Sequence, residues 1–416
     1  MKLSHLAETL VGSEIVKLGN EINDRIRNGE KIFNFTVGDF DPSIFPIPQE
    51  LEDEIISAYK HHYTNYPPAD GIQELRTAVS EFYKEAQGLD YAINEILIAA
   101  GGRPLIYTIF KTLIDKGDKI IYAVPSWNNN HYVNMNEGVH CTIQGKVENN
   151  FMPTAEDIAP HIKGAKLICL CTPQNPTGTT LSKDELTKIC DLVIEENKQR
   201  TGKKLYIMFD QMYWTLTYGS IEHFNPVQLR REMKDYTIFV DGISKAFSAT
   251  GLRVGWSFGP ALIISKMKAI LSHIGAWAPM AEQKATAKYL TMRPDIEKYL
   301  KKFKSEVEER LEKIHEGFVE LKEQGYAVDS IAPQAAIYLT IKIDLAGKTL
   351  PDGTILRNQA DVSAYILSEA KLAIVPFSYF GADKTSAWYR LSVGTCKKEE
   401  IKDMLGKLKN ALSKLR

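Results

Sequence analysis

A chain of 416 residues exceeds what one hydrophobic core ordinarily serves, so two domains are expected. An apolar fraction of 44% beside 25% charged residues is that of a soluble globular protein, and a net charge of -1 gives no electrostatic reason for a nucleic-acid or anionic-membrane partner. Glu8 and Glu14 interrupt the apolar stretch that a signal peptide would need, and no run reaches membrane-spanning length. Cys141, Cys169, Cys171, Cys190 and Cys396 cannot all pair, and no Cys or His set completes a zinc site, so reduced thiols, no metal and a cytoplasmic location are expected.

Residues 3 to about 28 have the pattern of an amphipathic helix closed by Gly29. A short strand over 32–37 follows and ends in the turn Gly38-Asp39-Phe40-Asp41-Pro42, where Gly38 would let the backbone approach a ligand or simply serve the turn. The proline-rich stretch 42–48 reads as an extended connection. From about residue 50 helix and strand alternate: helices over 72–86, 105–113 and 183–196, and short apolar strands over 95–101, 118–124, 167–171, 205–209 and 236–240. Continuous apolar strands between helices imply a mainly parallel sheet covered on both faces, with ligands bound off the carboxyl ends of its strands. A long charged helix spans 294–325 with apolar residues at three-to-four spacing. Beyond it, strands over 336–343, 372–375 and 389–393, with helices from about Asp361 and Lys397, form a smaller α+β unit expected to pack with the N-terminal helix.

Several strand ends carry residues with little structural reason to be there. Lys245, in Val240-Asp241-Gly242-Ile243-Ser244-Lys245, follows a buried strand, where an amine loses basicity and becomes able to condense with a carbonyl. Arg253, between Gly251 and Gly255, would bring a permanent charge to an anion. Asp210 and Tyr213 follow 205–209, the turn Pro173-Gln174-Asn175-Pro176-Thr177-Gly178 follows 167–171, and Trp127 follows 118–124. Ala100-Gly101-Gly102-Arg103-Pro104 opens a helix whose N-terminus suits a phosphate. Each alone has an ordinary use as a turn, cap or core residue. Gathered on neighbouring strand ends, they point to one site. Neither nucleotide-binding fingerprint, G-x-G-x-x-G or G-x-x-x-x-G-K-[ST], is present.

The combination of PQNPTG, Asp210-x-x-Tyr213 and Ser244-Lys245-x7-Arg253 resembles the class I/II pyridoxal-phosphate aminotransferases, and the motif around Lys245 is most similar to the bacterial aspartate aminotransferase branch. The order of motifs matches from about Gly38 to Gly394. The resemblance implies the fold type I architecture: a three-layer α/β large domain over 49–290 and a smaller α+β domain built from 1–48 and 291–416. It implies that pyridoxal 5'-phosphate is held by Lys245, its ring nitrogen paired with Asp210, its phenolic oxygen with Asn175 and Tyr213, and its face against Trp127. Ser244, Arg253, Gly101 and Gly102 would hold the phosphate. Gly38, Trp127, Asn175 and Arg390 would meet the substrate, Arg390 gripping the α-carboxylate. Tyr66 would reach the phosphate in the partner subunit of a homodimer.

Two positions depart from the family pattern. Ala99 stands where a threonine is common. Arg103 stands where some relatives carry a lysine that reads a distal carboxylate, so it would select dicarboxylic amino acids such as aspartate; otherwise it holds the cofactor phosphate or caps its loop. Trp277, Tyr379 and Phe380 could line a more apolar substrate pocket. The expected reaction moves an amino group from an L-α-amino acid to a 2-oxo acid such as 2-oxoglutarate. The alternatives are an aromatic or broad-specificity aminotransferase and a carbon-sulfur β-lyase. A ligand-sensing regulator is disfavoured, because about 30 residues before the first strand are too few for a DNA-binding module.

Overall fold

A computed structural model of the chain describes residues 2–10 and 12–416. Its strands are β1 (Phe33–Asn34), β2 (Ile96–Ala99), β3 (Lys119–Val124), β4 (Val139–Gln144), β5 (Ala165–Cys171), β6 (Tyr206–Asp210), β7 (Thr237–Gly242), β8 (Gly255–Phe258), β9 (Val328–Ser330), β10 (Tyr338–Ile343), β11 (Leu372–Ala373), β12 (Val375–Pro376) and β13 (Trp388–Ser392). Seven form one sheet in the order β2-β8-β7-β6-β5-β3-β4. It is parallel except for β8, which runs antiparallel to both β2 and β7.

The apolar runs of the sequence are continuous because both sheet faces are covered. Ile98, Ile121, Ile168, Ile207 and Phe239 pack with Leu75, Val79, Leu186 and Val193, which lie on helices Gln73–Gln87 and Lys183–Gln199. Their strand neighbours Leu97, Ile120, Leu167, Met208 and Ile238 face the other way, onto Leu105, Ile109 and Met267 of helices Gly102–Leu113 and Ala261–Ile274. This two-residue alternation is what a three-layer sheet demands.

A second core lies beneath the four-stranded antiparallel sheet β12-β13-β10-β9, packed by helices Arg293–Glu323, Gln359–Glu369 and Glu400–Ser413. The start of the chain joins it. β1 pairs in parallel with β11, and Phe40, Phe45 and Phe303 form an aromatic trio with centroids 5.3–5.7 Å apart. The segment after β6 also joins this core, where the Ala336 N–H donates to Leu216 O and the Tyr218 N–H donates to Gln334 O, and Tyr299 packs against both cores, between Phe247 of one and Phe303 of the other. Among the described residues no helix is long and apolar enough to cross a membrane, and the five cysteines are free.

Several expected elements change. The helix expected over 3–28 is two, His5–Thr9 and Glu14–Arg27, because Gly12 favours no helix and Ser13 stands at an N-cap. The strand expected over 32–37 keeps only Phe33–Asn34, since the Asn34 side chain takes the N–H and hydroxyl of Thr36 and bends the chain off its ladder. The run 372–375 divides into β11 and β12 because it changes partner, from β1 to β13. Three strands were not expected. β4 is a polar edge, β8 begins at Gly255, inside a stretch dominated by site residues, and β9 is only three residues long.

Gly255 is required by close approach. A Cβ there would lie 2.7 and 2.8 Å from the backbone C and Cα of Gly101, across the joint between β2 and β8. Gly255→Ala is expected to destabilise the protein by about 1–3 kcal/mol in urea unfolding with an unchanged slope. A neutral substitution would contradict that contact.

Candidate active site

The antiparallel course of β8 has a consequence for chemistry. Its amino end, with Arg253 just before it, lies on the same sheet edge as the carboxyl ends of β2 and β7. The loop after β2 (Ala100–Arg103), Asp210 at the end of β6, and the short helix Ile243–Ala246 after β7 thereby meet Arg253 along one cleft.

Lys245 is partly buried on that short helix, and its Nζ donates to the Gly38 carbonyl at 2.6 Å. Burial lowers its pKa to about 8; Asp39 works against the shift, while the charges of Arg390, Arg253 and Arg103 add to it. The Nζ lies 5.6 Å from the Phe40 ring centroid and 6.0 Å from that of Tyr213. Ser244, beside it, is buried.

Asp210 accepts one backbone hydrogen bond, from the Met212 N–H at 3.1 Å, and has no salt-bridge partner among the described residues. Burial raises its pKa to about 6. Gly102 stands nearby, where a Cβ would lie 3.0 Å from Met212 Cε.

Arg253 adopts a left-handed backbone (φ 56°) and among the described residues is held only by carbonyls: Nη1 donates to Thr250 O at 2.7 Å and Nη2 to Ala100 O at 3.0 Å. Gly101, at φ 83°, is demanded twice, since a Cβ there would also lie 2.5 Å from Arg253 Nη2. An uncompensated guanidinium beside the N-terminus of helix Gly102–Leu113 makes this corner a seat for an anion.

Arg390, on β13, is 1% exposed. Nη1 donates to Asn175 Oδ1 at 3.0 Å and Nη2 to Thr36 O at 2.6 Å, while the Nε has no partner among the described residues. The rings of Tyr338 and Phe380 lie 4.8 and 5.0 Å from the guanidinium, and burial lowers its pKa. No carboxylate neutralises it among the described residues, and a buried unpaired charge is expensive unless a ligand completes it. Gly38 lies beside it; a Cβ there would stand 3.4 Å from Arg390 Nη1.

Arg103 is exposed, with its guanidinium 5.3 Å from the centroid of the Trp127 ring. It sits in the first turn of its helix, where the dipole disfavours a cation, and no acidic side chain compensates it among the described residues. Trp127 also meets Phe380, whose neighbour Tyr379 is 41% exposed. The Tyr213 hydroxyl shares a 2.6 Å hydrogen bond with that of Tyr338. Of the expected residues only Tyr66 stands apart: it is 83% exposed and packs edge-on against Trp277, whose preceding residue, Ala276, accepts the Ala100 N–H.

The sequence reading missed three contributors. Tyr338 begins an apolar strand and reads as a core aromatic. Asp39, which accepts the Thr250 hydroxyl at 2.6 Å, reads as part of a turn. Cys171, the Cα partner of Asp210 across β5 and β6, reads as core. No local pattern announces any of them, because each acquires its neighbours only through the sheet.

The burial of Asp210 implies a testable cost. A carboxyl whose pKa rises on folding to about 6 is destabilised as an anion: the penalty is absent well below the unfolded pKa and complete above the folded one. Asp210→Asn in the cofactor-free protein is therefore expected to raise unfolding stability at pH 8 by on the order of 1–3 kcal/mol, the gain narrowing towards pH 4. A loss of stability at pH 8 would contradict it.

A buried amine of lowered basicity, a carboxylate without a cation, and two guanidiniums without anions would each find a partner in a molecule bearing a carbonyl, a basic ring nitrogen and a phosphate, together with a carboxylate substrate. Residues 30–408 match the family model for aminotransferase class I and II. The chain is 30% identical over 386 residues to the aspartate aminotransferase of Bacillus sp. (strain YM-2), covering 92% of this chain and 93% of that protein. It is 29% identical over 374 residues to a probable aspartate/prephenate aminotransferase of Rickettsia typhi, covering 89% and 90%. Among solved structures, the aspartate aminotransferase from Rhizobium meliloti superposes with a TM-score of 0.91 at 26% identity, covering 100% of both chains. The Thermus thermophilus aspartate aminotransferase with maleate gives 0.88 at 25% identity, covering 99% of this chain and 100% of that one. The chain belongs to the class I and II aminotransferase family and is a pyridoxal-phosphate-dependent transaminase of the fold type I architecture.

Proposed function

We propose that the enzyme transfers the amino group of a dicarboxylic L-amino acid, aspartate or a close relative, to a 2-oxo acid such as 2-oxoglutarate. The observation that carries this reading is Arg103: an exposed guanidinium over Trp127, at a helix end that disfavours it, with no carboxylate partner of its own among the described residues. Arg390 would take the substrate α-carboxylate and Arg103 the distal one.

When bound, pyridoxal phosphate supplies a carbonyl that captures amines and a cationic ring that stabilises negative charge at the substrate Cα. Lys245 would hold it and, once free, its Nζ would carry the proton from the substrate Cα; an amine that titrates near pH 8 can both accept and return that proton. Asp210 would keep the ring nitrogen protonated. Arg253, Ser244 and the backbone N–H groups of Gly101 and Gly102 would hold the phosphate. Asn175 spends its carbonyl oxygen on Arg390, which leaves its amide hydrogens for the ring's phenolic oxygen beside Tyr213. Trp127 would stack on the ring, and Gly38 would border the substrate beside Arg390.

The same reading includes a homodimer in which Tyr66, exposed and packed edge-on against Trp277, enters the partner's site. It includes a cytoplasmic location, supported by the free cysteines. It also includes division of the chain into a large unit over 49–290 and a small one from 1–48 and 291–416, supported by the joint packing of Phe40, Phe45 and Phe303.

Arg103→Ala is expected to lower kcat/KM for aspartate by roughly 10- to 100-fold, the equivalent of about 1.5–3 kcal/mol for a charge-assisted contact, with little change for phenylalanine. An unchanged ratio of the two would remove Arg103 from specificity and favour an aromatic or broad substrate range. Light scattering is expected to report a dimer, and Tyr66→Ala to speed cofactor loss without dissociating it. A monomer with an undiminished cofactor affinity would contradict the shared site.

A further inference from the structure

The stretch that carries Lys245 begins with a buried acid to which the reaction gives no task. Asp241 lies in β7, is 1% exposed, and precedes Lys245 by four positions. Its Oδ1 accepts the Gly242 N–H at 2.7 Å. Its Oδ2 accepts the Tyr83 hydroxyl at 2.5 Å and Gln211 Nε2 at 3.3 Å. The Tyr83 oxygen in turn accepts the Trp256 Nε1–H at 3.0 Å. On the far side, His223 Nε2 lies 3.4 Å from Gln211 Oε1. Side chains from helix Gln73–Gln87, from β8 and from the segments after β6 thus converge on a single carboxyl.

No cation faces that carboxyl among the described residues, so it is a costly way to end a core strand. Burial pushes its pKa up to about 8, with Asp210 adding to the push and the bonds from Tyr83, Gly242 and Gln211 opposing it. An apolar residue would fill the same space more cheaply. What the carboxyl does, and an apolar residue could not, is hold two backbone segments at once. Gly242 leaves the strand with no room for a side chain, since a Cβ would meet Val254 O at 2.7 Å and Gly255 Cα at 2.8 Å. Asp241 Oδ1 fixes the N–H of that same residue, from which the chain runs directly to Lys245. Gln211 immediately follows Asp210, and its own N–H donates to Val240 O at 3.1 Å.

We infer that Asp241, held by Tyr83, is a positioning residue: one buried carboxyl pins both the turn that leads to Lys245 and the residue after Asp210, and so fixes the spacing of the amine and the acid across the cleft. The inference rests on the roles proposed above for those two groups.

The test uses the cofactor-loaded enzyme. Tyr83→Phe removes one donor and keeps the ring, whereas Asp241→Ala removes the junction. Each is expected to lower kcat by roughly tenfold or more while KM for the amino acid stays within about twofold, as befits misplaced groups rather than a lost substrate contact. Each is also expected to move the pH midpoint of the bound cofactor's visible absorbance by at least about half a unit. Asp241→Asn keeps an oxygen for the Gly242 N–H, and Gln211 can turn its amide to meet the new NH2, so this variant is expected to recover most of kcat. A role in packing alone would lower the unfolding midpoint of Tyr83→Phe and Asp241→Ala while kcat per bound cofactor and the absorbance midpoint match the parent enzyme; that result would overturn the inference. A parent enzyme whose absorbance shows no bound cofactor would remove the proposed roles of Lys245 and Asp210, and this inference with them.

Discussion

Three basic side chains, Lys245, Arg253 and Arg390, converge on one cleft that brings them little negative charge. Arg253 and Arg390 are held by carbonyl and amide oxygens, with no acid in salt-bridge reach among the described residues. Burial and the neighbouring guanidiniums together strip Lys245 of basicity. Such crowding costs folding free energy, and a sequence selected for stability alone would relieve it with a nearby acid. Left unrelieved, it suits a ligand that is anionic at two places and carries an electrophilic carbonyl for the amine. Asp210 is the complementary case, a carboxylate raised in pKa by burial that awaits a cation.

The fold makes this crowding possible by bringing distant segments to one sheet edge. The reversed strand β8 is central. It places Arg253 beside Gly101, 152 positions earlier in the chain; Gly242 and Gly255 let backbones approach where a methyl group would collide, and Gly101 leaves room for the Arg253 guanidinium. The small antiparallel sheet supplies Arg390 from the opposite side, and the N-terminal segment closes the remaining gap with Thr36 and Gly38, each giving a carbonyl to one of the basic groups. Arginine and lysine donors and the carbonyls that accept from them, drawn from three separate stretches, therefore depend on a single edge geometry.

Much of this was legible in the sequence. Covered strands announce themselves as unbroken apolar runs, so β2, β3, β5, β6 and β7 were readable to within a few residues. Their carboxyl ends carried Asp210, Asn175, Trp127, Gly101 and Lys245 where a ligand-binding edge should lie. β4 was not readable, because an edge strand with alternating exposure and few apolar residues has no such run. The N-terminal helix was overextended because amphipathic spacing continues across the Gly12-Ser13 break. Tyr338, Asp39 and Asp241 escaped notice for one common reason: each looks like an ordinary core, turn or strand residue until tertiary contacts reveal what it faces. Tyr66 is the converse, a residue whose expected partner lies in another subunit and whose role a single chain leaves open to view only as an exposed ring.

The account stands on the contention that these groups surround one aldehyde-bearing phosphorylated ring bound through Lys245. Reduction of the cofactor-loaded protein with borohydride, followed by proteolysis and mass spectrometry, tests it most directly. The expected result is one phosphopyridoxyl group per chain, located on the peptide containing Lys245, and its absence from Lys245→Ala. A label on another lysine, or none at all in protein that has been given the cofactor, would contradict the account.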